Sequence, residues 1–213
     1  MSTRRLPVYL LLDTSGSMQG EPIHAVNVGL QSLAASLRQD PYALESVFIS
    51  IITFDMEVKE VVPLTALEDL QVPTITTPRS GATMMGAGLA FVCDQVARDV
   101  RKSTENAKGD WRPLLFVMTD GKPSDTLAFQ EAIPRVRSAN FGIVVACAAG
   151  PKSDSSVLNQ LTDKVVHMDT MDSASFSQFF QWVSSTINQG SSSMGTANSV
   201  TLPPPPPEIQ IVI

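Results

Sequence analysis

Apolar residues along the 213-residue chain follow two alternating rhythms. Continuous runs rich in Val, Ile and Leu occur at 7–13 (PVYLLLD), 46–55 (SVFISIITFD), 111–121 (WRPLLFVMTDG), 141–150 (FGIVVACAAG) and 164–169 (KVVHMD). A strand covered on both faces needs no polar alternation, so these runs predict buried strands. Between them, apolar residues recur at helical spacing. Ile23, Val26, Leu30, Leu33 and Leu37 share one face of 23–39, behind Pro22 at a helix start. Leu89, Val92, Val96 and Val100 form the apolar stripe of a second helix. Further helices are predicted at 124–138, 154–161 and 175–188, with Pro134 arguing for a bend in the first of these. Segment 57–67 alternates more and contains Pro63, which suits an edge strand joined to its predecessor by a tight turn.

Strands alternating with helices predict an α/β fold, an open, doubly wound and mostly parallel sheet with helices on both faces. Such sheets bind ligands beyond the carboxyl ends of their strands, near the point where strand order reverses. Two of the predicted strands end there on an acid, LLLD at Asp13 and FVMTD at Asp120. The chain divides into a domain, 1–189, and a tail, 190–213, made of a Ser/Gly linker, prolines at 203–207 and alternating Ile209, Ile211 and Ile213. The prolines favour polyproline II. EIQIVI has the alternation to add as a strand to an exposed edge, on this chain or a neighbour; side-chain packing over the body is the other option.

Hydrophobic residues make up 43% and charged ones 17%, an ordinary globular balance. A net charge of −6 without any Lys/Arg cluster argues against binding to nucleic-acid backbones or acidic membranes. No segment approaches the ~18 apolar residues of a membrane span, and the first apolar run falls short of the ~7–15 residues of a signal core. Cys93 and Cys147 sit in apolar contexts without metal or redox spacing and read as buried thiols. The cytoplasm is the simplest compartment.

The candidate chemistry begins in DTSGS, where Asp13, Ser15 and Ser17 occupy alternate positions after the first strand. There is no G-x-x-x-x-G-K-[ST] phosphate loop. The glycines do not fit the dinucleotide fingerprint, and Asp13 would repel a pyrophosphate. A nucleophile elbow would need a glycine two residues before its serine. His24 and His167 fall within a predicted helix and a predicted strand. An aspartyl phosphatase of the haloacid dehalogenase kind would want a second acid where Ser15 stands. A hard-cation site fits better, because alternate positions in a turning loop can aim three oxygens at one point. One carboxylate and two hydroxyls cannot saturate such an ion, which leaves it open to an external carboxylate. The plain alternative is that Ser15 or Ser17 only caps the next helix.

Two distant segments, SGATMMG with Thr83 and VMTDG with Asp120, complete a pattern. Together with Asp13-Thr14-Ser15-Gly16-Ser17, they give D-x-S-x-S, a Thr in G-x-T, and T-D-G after a later strand. In this, residues 5–188 resemble the von Willebrand factor A domain with its metal-ion-dependent adhesion site (MIDAS). The resemblance implies a Rossmann-like, six-stranded sheet with one antiparallel edge strand. It implies Asp13, Ser15, Ser17 and Thr83 as ligands of a divalent cation, directly or through water, and Asp120 as a ligand or a holder of ligand waters. Mg²⁺ is preferred and Ca²⁺ possible. A partner protein's Asp or Glu would complete the coordination, received by the surface around the metal, including Gly16 and Met84. Likeness over RRLPVYLLLDTSGSMQGEPI, VFISIITFD and LLFVMTDGKPSD narrows the resemblance to bacterial TerY-type tellurium-resistance and stress-response proteins, which are associated with a PP2C-type phosphatase and a protein kinase. The expectation is a non-catalytic protein-binding module. The alternatives are a metal-assisted phosphatase or nucleotide hydrolase, and a regulatory kinase substrate modified in loops such as TITTPRS.

Overall fold

A computed structural model describes residues 4–79, 81–151, 153–192, 202–207 and 209–212. In chain order its elements are β1 (Leu6–Asp13), α1 (Glu21–Leu37), α2 (Pro41–Ser46), β2 (Val47–Phe54), β3 (Val58–Ala66), α3 (Met85–Asp99), β4 (Leu114–Thr119), α4 (Thr126–Ser138), β5 (Ile143–Ala149), α5 (Ser155–Leu158), β6 (Val165–Met168), α6 (Ser173–Ser192) and β7 (Ile209–Val212). The greasy runs are the parallel strands. Every residue of β1 is buried, and its side chains alternate between two cores. Val8, Leu10 and Leu12 join Leu30 and Leu33 of α1 and Phe176 and Phe180 of α6, whereas Tyr9 and Leu11 join Leu89 of α3 and Phe129 of α4. Two apolar faces on one strand require helices on both sides of the sheet.

The strand order is β3-β2-β1-β4-β5-β6-β7. β1 lies between β2 and β4, both parallel to it. The chain leaves β1 through α1 toward β2 and β3, then returns through α3 to β4 on β1's other side. Strand order therefore reverses between β1 and β4, which brings the loops after Asp13 and Thr119 together at one end of the sheet. Gly20, at φ 84°, makes the left-handed turn that opens α1, with Pro22 in the helix's first turn.

β3 is antiparallel to β2, as its alternation and Pro63 predict, and its pairing is irregular around Ile51. The sheet differs from expectation at its other edge, where it has seven strands rather than six. β7 pairs antiparallel with β6, matching Met168 with Ile209 and Val166 with Ile211. Ile209 is 3% exposed, and Trp182 Nε1 donates to Pro203 O over 2.9 Å. A bare β6 edge would leave a row of backbone donors and acceptors unpaired, and the tail supplies that row. α6 continues through Ser192, so the expected linker begins later than residue 190; its remainder, 193–201, lies outside the described residues. The short helix α2, which sequence periodicity misses, is set by Asp40, whose side chain accepts from Tyr42 N and Ala43 N ahead of Pro41. Pro134 is carried within α4 without ending it.

The burial of Ile209 predicts that Ile209→Asp releases β7. Its cost should be about 1–3 kcal/mol, the scale of one buried aliphatic side chain. Hydrogen exchange of the 165–168 amides should speed up while β1 and β4 stay protected; unchanged protection in β6 would contradict this packing.

Candidate metal centre

The site forms at the switch point because β1 and β4 end side by side. Asp13, the last residue of β1, is fully buried. Its Oδ1 accepts from Ser15 N at 2.8 Å and its Oδ2 from Thr119 Oγ1 at 2.6 Å. The chain then turns tightly, Met18 N donating to Ser15 O, so that the Ser15 and Ser17 hydroxyls lie 3.2 Å apart. Ser17 Oγ donates to Asp120 Oδ1 at 2.9 Å, joining the first loop to the loop after β4. Ser15 is buried and Ser17 exposed, so the cluster runs from the sheet end to the surface.

Thr83 arrives from the loop before α3. Its N–H donates to Ser124 Oγ at 3.1 Å and its carbonyl accepts from Ser124 N at 2.9 Å. A Cβ built on Gly121 would lie 3.6 Å from Thr83 Oγ1, which places that hydroxyl against the residue after Asp120. Gly86 is where α3 and α4 meet, and a Cβ there would lie 2.2 Å from Phe129 N. Asp125, at the N-cap position of α4, instead caps α3, its carboxylate accepting from Gly86 N and Ala87 N. Asp13, Ser15, Ser17 and Asp120 are thus joined by hydrogen bonds, and Thr83 borders them at Gly121. Gly16 and Met84 are half-buried beside them.

The electrostatics of the cluster are unbalanced. Burial raises the Asp13 carboxyl above its ordinary value, the Thr119 and Ser15 hydrogen bonds pull it down, and nearby Asp120 pushes it up again. Among the described residues, neither Asp13 nor Asp120 has a Lys, Arg or His ion-pair partner; Lys122 pairs with Asp154 instead. No three His, Cys, Asp or Glu side chains gather into a metal-binding group among the described residues. A cation here would need oxygens beyond the two carboxylates, from Ser and Thr hydroxyls, backbone carbonyls or water. Two carboxylates with three hydroxyl oxygens are a hard-oxygen donor set that fits Mg²⁺ or Ca²⁺ better than a thiolate-seeking ion.

Sequence reasoning assigned no role to Thr119, Ser124, Asp125 or the Thr14–Asp55 pair. The signal for Asp55 was present, since SVFISIITFD also ends on an acid. His24 is exposed on α1, and His167 lies on β6, 3.4 Å from Asp169.

A doubly wound, mostly parallel sheet with helices on both faces defines the chain as a Rossmann-like α/β domain. The chain belongs to the von Willebrand factor type A domain family, whose profile matches residues 8–196. No curated protein matches the chain. Solved structures share its fold at low identity. Proximal thread matrix protein 1 from the mussel byssus has a TM-score of 0.62 at 18% identity, over 84% of this chain and 47% of its own. A structure of that protein with a zinc-occupied MIDAS motif gives 0.61 at 18%, with the same coverage, 84% and 47%. The ArnB paralog VWA2 from Sulfolobus acidocaldarius gives 0.59 at 18%, over 87% of this chain and 46% of its own. The pilus adhesin SpaC from Lactobacillus rhamnosus GG, in an open conformation, gives 0.69 at 13%, over 89% and 31%. The chain spans less than half the length of each of these proteins.

The raised Asp13 carboxyl has a definite consequence for stability. An acid whose folded pKa lies above its unfolded one favours the folded state while protonated, and that contribution is lost as pH rises through the raised value. In chelator, the parent should therefore lose stability relative to Asp13→Asn as pH rises from below 3.8 to neutrality. Urea unfolding of both chains across that range measures it; parallel curves would contradict the assignment.

Proposed function

We propose that the chain is a divalent-cation-dependent protein-binding module, in which Asp13, Ser15, Ser17 and Thr83 hold the ion. Asp120 contributes either as a ligand or by holding the ion's waters. The observation that carries this reading is the meeting, at one strand switch point, of three hydroxyl-bearing residues and two carboxylates that have no ion-pair partner among the described residues. When bound, the ion supplies an electrophilic point that a partner's Asp or Glu can coordinate. The chain's own residues do the rest. Thr119 and the Ser15 N–H hold the Asp13 carboxylate in one orientation, and the half-buried Gly16 and Met84 border the face a partner would approach.

Mg²⁺ is the preferred ion in this reading and Ca²⁺ the second, on the hardness of the donors; zinc at the MIDAS of the mussel protein supports the broader divalent class. The state of Asp13 supports binding over catalysis with this residue as nucleophile. Both its oxygens are engaged and its side chain is fully buried, so it is poorly placed to attack an external phosphate as a nucleophile. We place the protein with the TerY-type tellurium-resistance and stress-response group, in the cytoplasm. A PP2C-type phosphatase and a protein kinase are then the first partners to try. Two unpaired, buried cysteines support a reducing compartment. No helix among the described residues is long and apolar enough to cross a membrane.

Thermal unfolding in EDTA against increasing Mg²⁺, Ca²⁺ or Mn²⁺ tests the metal. At one hundred times Kd, binding to the folded state adds about 2.7 kcal/mol, or roughly 5–10 °C for a chain of this size. Asp13→Asn should abolish the rise. Retention of a candidate phosphatase or kinase on the immobilised parent should need the metal and disappear in Asp13→Asn. Retention that survives both chelator and the substitution would exclude this mechanism.

A further inference from the structure

We propose that Asp55 is the positioning residue that holds the Asp13–Ser17 loop and the Thr83 loop at the separation a shared cation requires. This rests on the metal-binding reading above. Asp55 follows the last residue of β2, is 6% exposed, and has no ion-pair partner among the described residues. A buried carboxylate without a cation is costly unless its oxygens are fully used. Those of Asp55 are used in two directions. Oδ2 accepts from Thr14 Oγ1 at 2.9 Å, and Thr14 is the residue between Asp13 and Ser15. Oδ1 accepts from Glu57 N at 3.0 Å, closing the β2–β3 turn, which the Asp55 N–H closes a second time by donating to Glu57 O at 3.0 Å.

The backbone of Asp55 reaches the third partner. Its carbonyl accepts from Met84 N at 3.0 Å, and Met84 directly follows Thr83. A Cβ on Gly81, two residues before Thr83, would lie 3.6 Å from the Asp55 Cβ, so the Thr83 loop lies against this residue. One side chain and its own carbonyl therefore span the two loops that carry the candidate hydroxyl ligands. The β2–β3 turn, fixed twice over, is the anchor. Thr14 is further tied to β2 by its N–H, which donates to Phe54 O at 2.9 Å, so the brace acts at the point where β1 and β2 stop pairing.

Positioning and through-space charge make different demands on this residue. An asparagine keeps the brace: its amide oxygen still accepts from Glu57 N, and its NH₂ can donate to the Thr14 hydroxyl, which rotates to accept. The charge is lost. An alanine loses both. Outer-shell groups that orient metal ligands change affinity by about 10–100-fold when removed.

The test is a titration of the 213-residue chain with Mn²⁺ alone, followed by electron paramagnetic resonance, with thermal unfolding in EDTA alongside. Asp55→Ala and Thr14→Val should each weaken Mn²⁺ binding by about 10-fold or more. Asp55→Asn should recover most of the loss seen in Asp55→Ala, which a role as a distant charge would not allow. Ala and Asn variants that are equally weak would overturn the proposal in favour of charge, and an Ala variant as tight as the parent would remove Asp55 from the site. If Asp55→Ala does not fold, Thr14→Val against Thr14→Ser decides: the serine keeps the donor and should bind as the parent does, and equal affinities in the two would overturn the brace. A parent chain that fails to bind Mn²⁺ would instead refute the metal-binding reading itself.

Discussion

A carboxylate sealed at the end of a strand that is itself buried on both faces is the constraint around which this molecule is arranged. Asp13 cannot be solvated by water where it stands, so the protein must supply donors. It does so through Thr119 and the Ser15 N–H. Each donor needs a particular backbone course: β4 must run beside β1 and stop at the same level, and the chain after Asp13 must turn back on itself. The sheet order, the tight Ser15–Met18 turn and the pairing of Ser17 with Asp120 all serve these positions. The hydrogen bonds offset the burial of Asp13 only in part, because burial is the largest influence on its carboxyl and nearby Asp120 adds to it.

Much of the fold was legible because the strands are buried on both faces and the helices on one. That difference writes continuous apolar runs for β1, β2, β4 and β5, and 3.6-residue stripes for α1 and α3. β3 was legible through alternation and Pro63. β7 was half legible. Ile209 and Ile211 alternate as an added strand should, but no pattern within EIQIVI says which edge it joins, since that depends on where the chain has travelled over the preceding forty residues or so. α2 escaped notice because a six-residue helix held by an Asp40 cap shows no periodicity.

The candidate site divides in the same way. Asp13, Ser15 and Ser17 were legible as a local pattern, Asp120 as an acid at a strand end, and Thr83 through family resemblance, which carries information about spatial neighbours that spacing alone does not. The contacts of the neighbouring residues were not legible for a physical reason, even though Asp55, like Asp13 and Asp120, ends an apolar run. Thr119 looks like any strand-end threonine until β1 is known to lie beside it, and Asp55 looks like an ordinary turn-forming acid. Their roles exist only in tertiary contacts, 106 residues apart for Thr119 and Asp13, and 41 for Thr14 and Asp55.

The Asp125 carboxylate, which sits at the start of α4 but caps α3, has a mechanical meaning. With the reciprocal Thr83–Ser124 hydrogen bonds, it welds the entries of two helices into a single piece. Thr83 and the segment following Asp120 thereby lose their independence; a shift in one is a shift in both. The oxygen cluster then has fewer degrees of freedom than its three contributing loops suggest. One side of the cluster is the turn after β1 and the other is the joined start of α3 and α4, and the Ser17–Asp120, Thr14–Asp55 and Met84–Asp55 hydrogen bonds hold the two sides together.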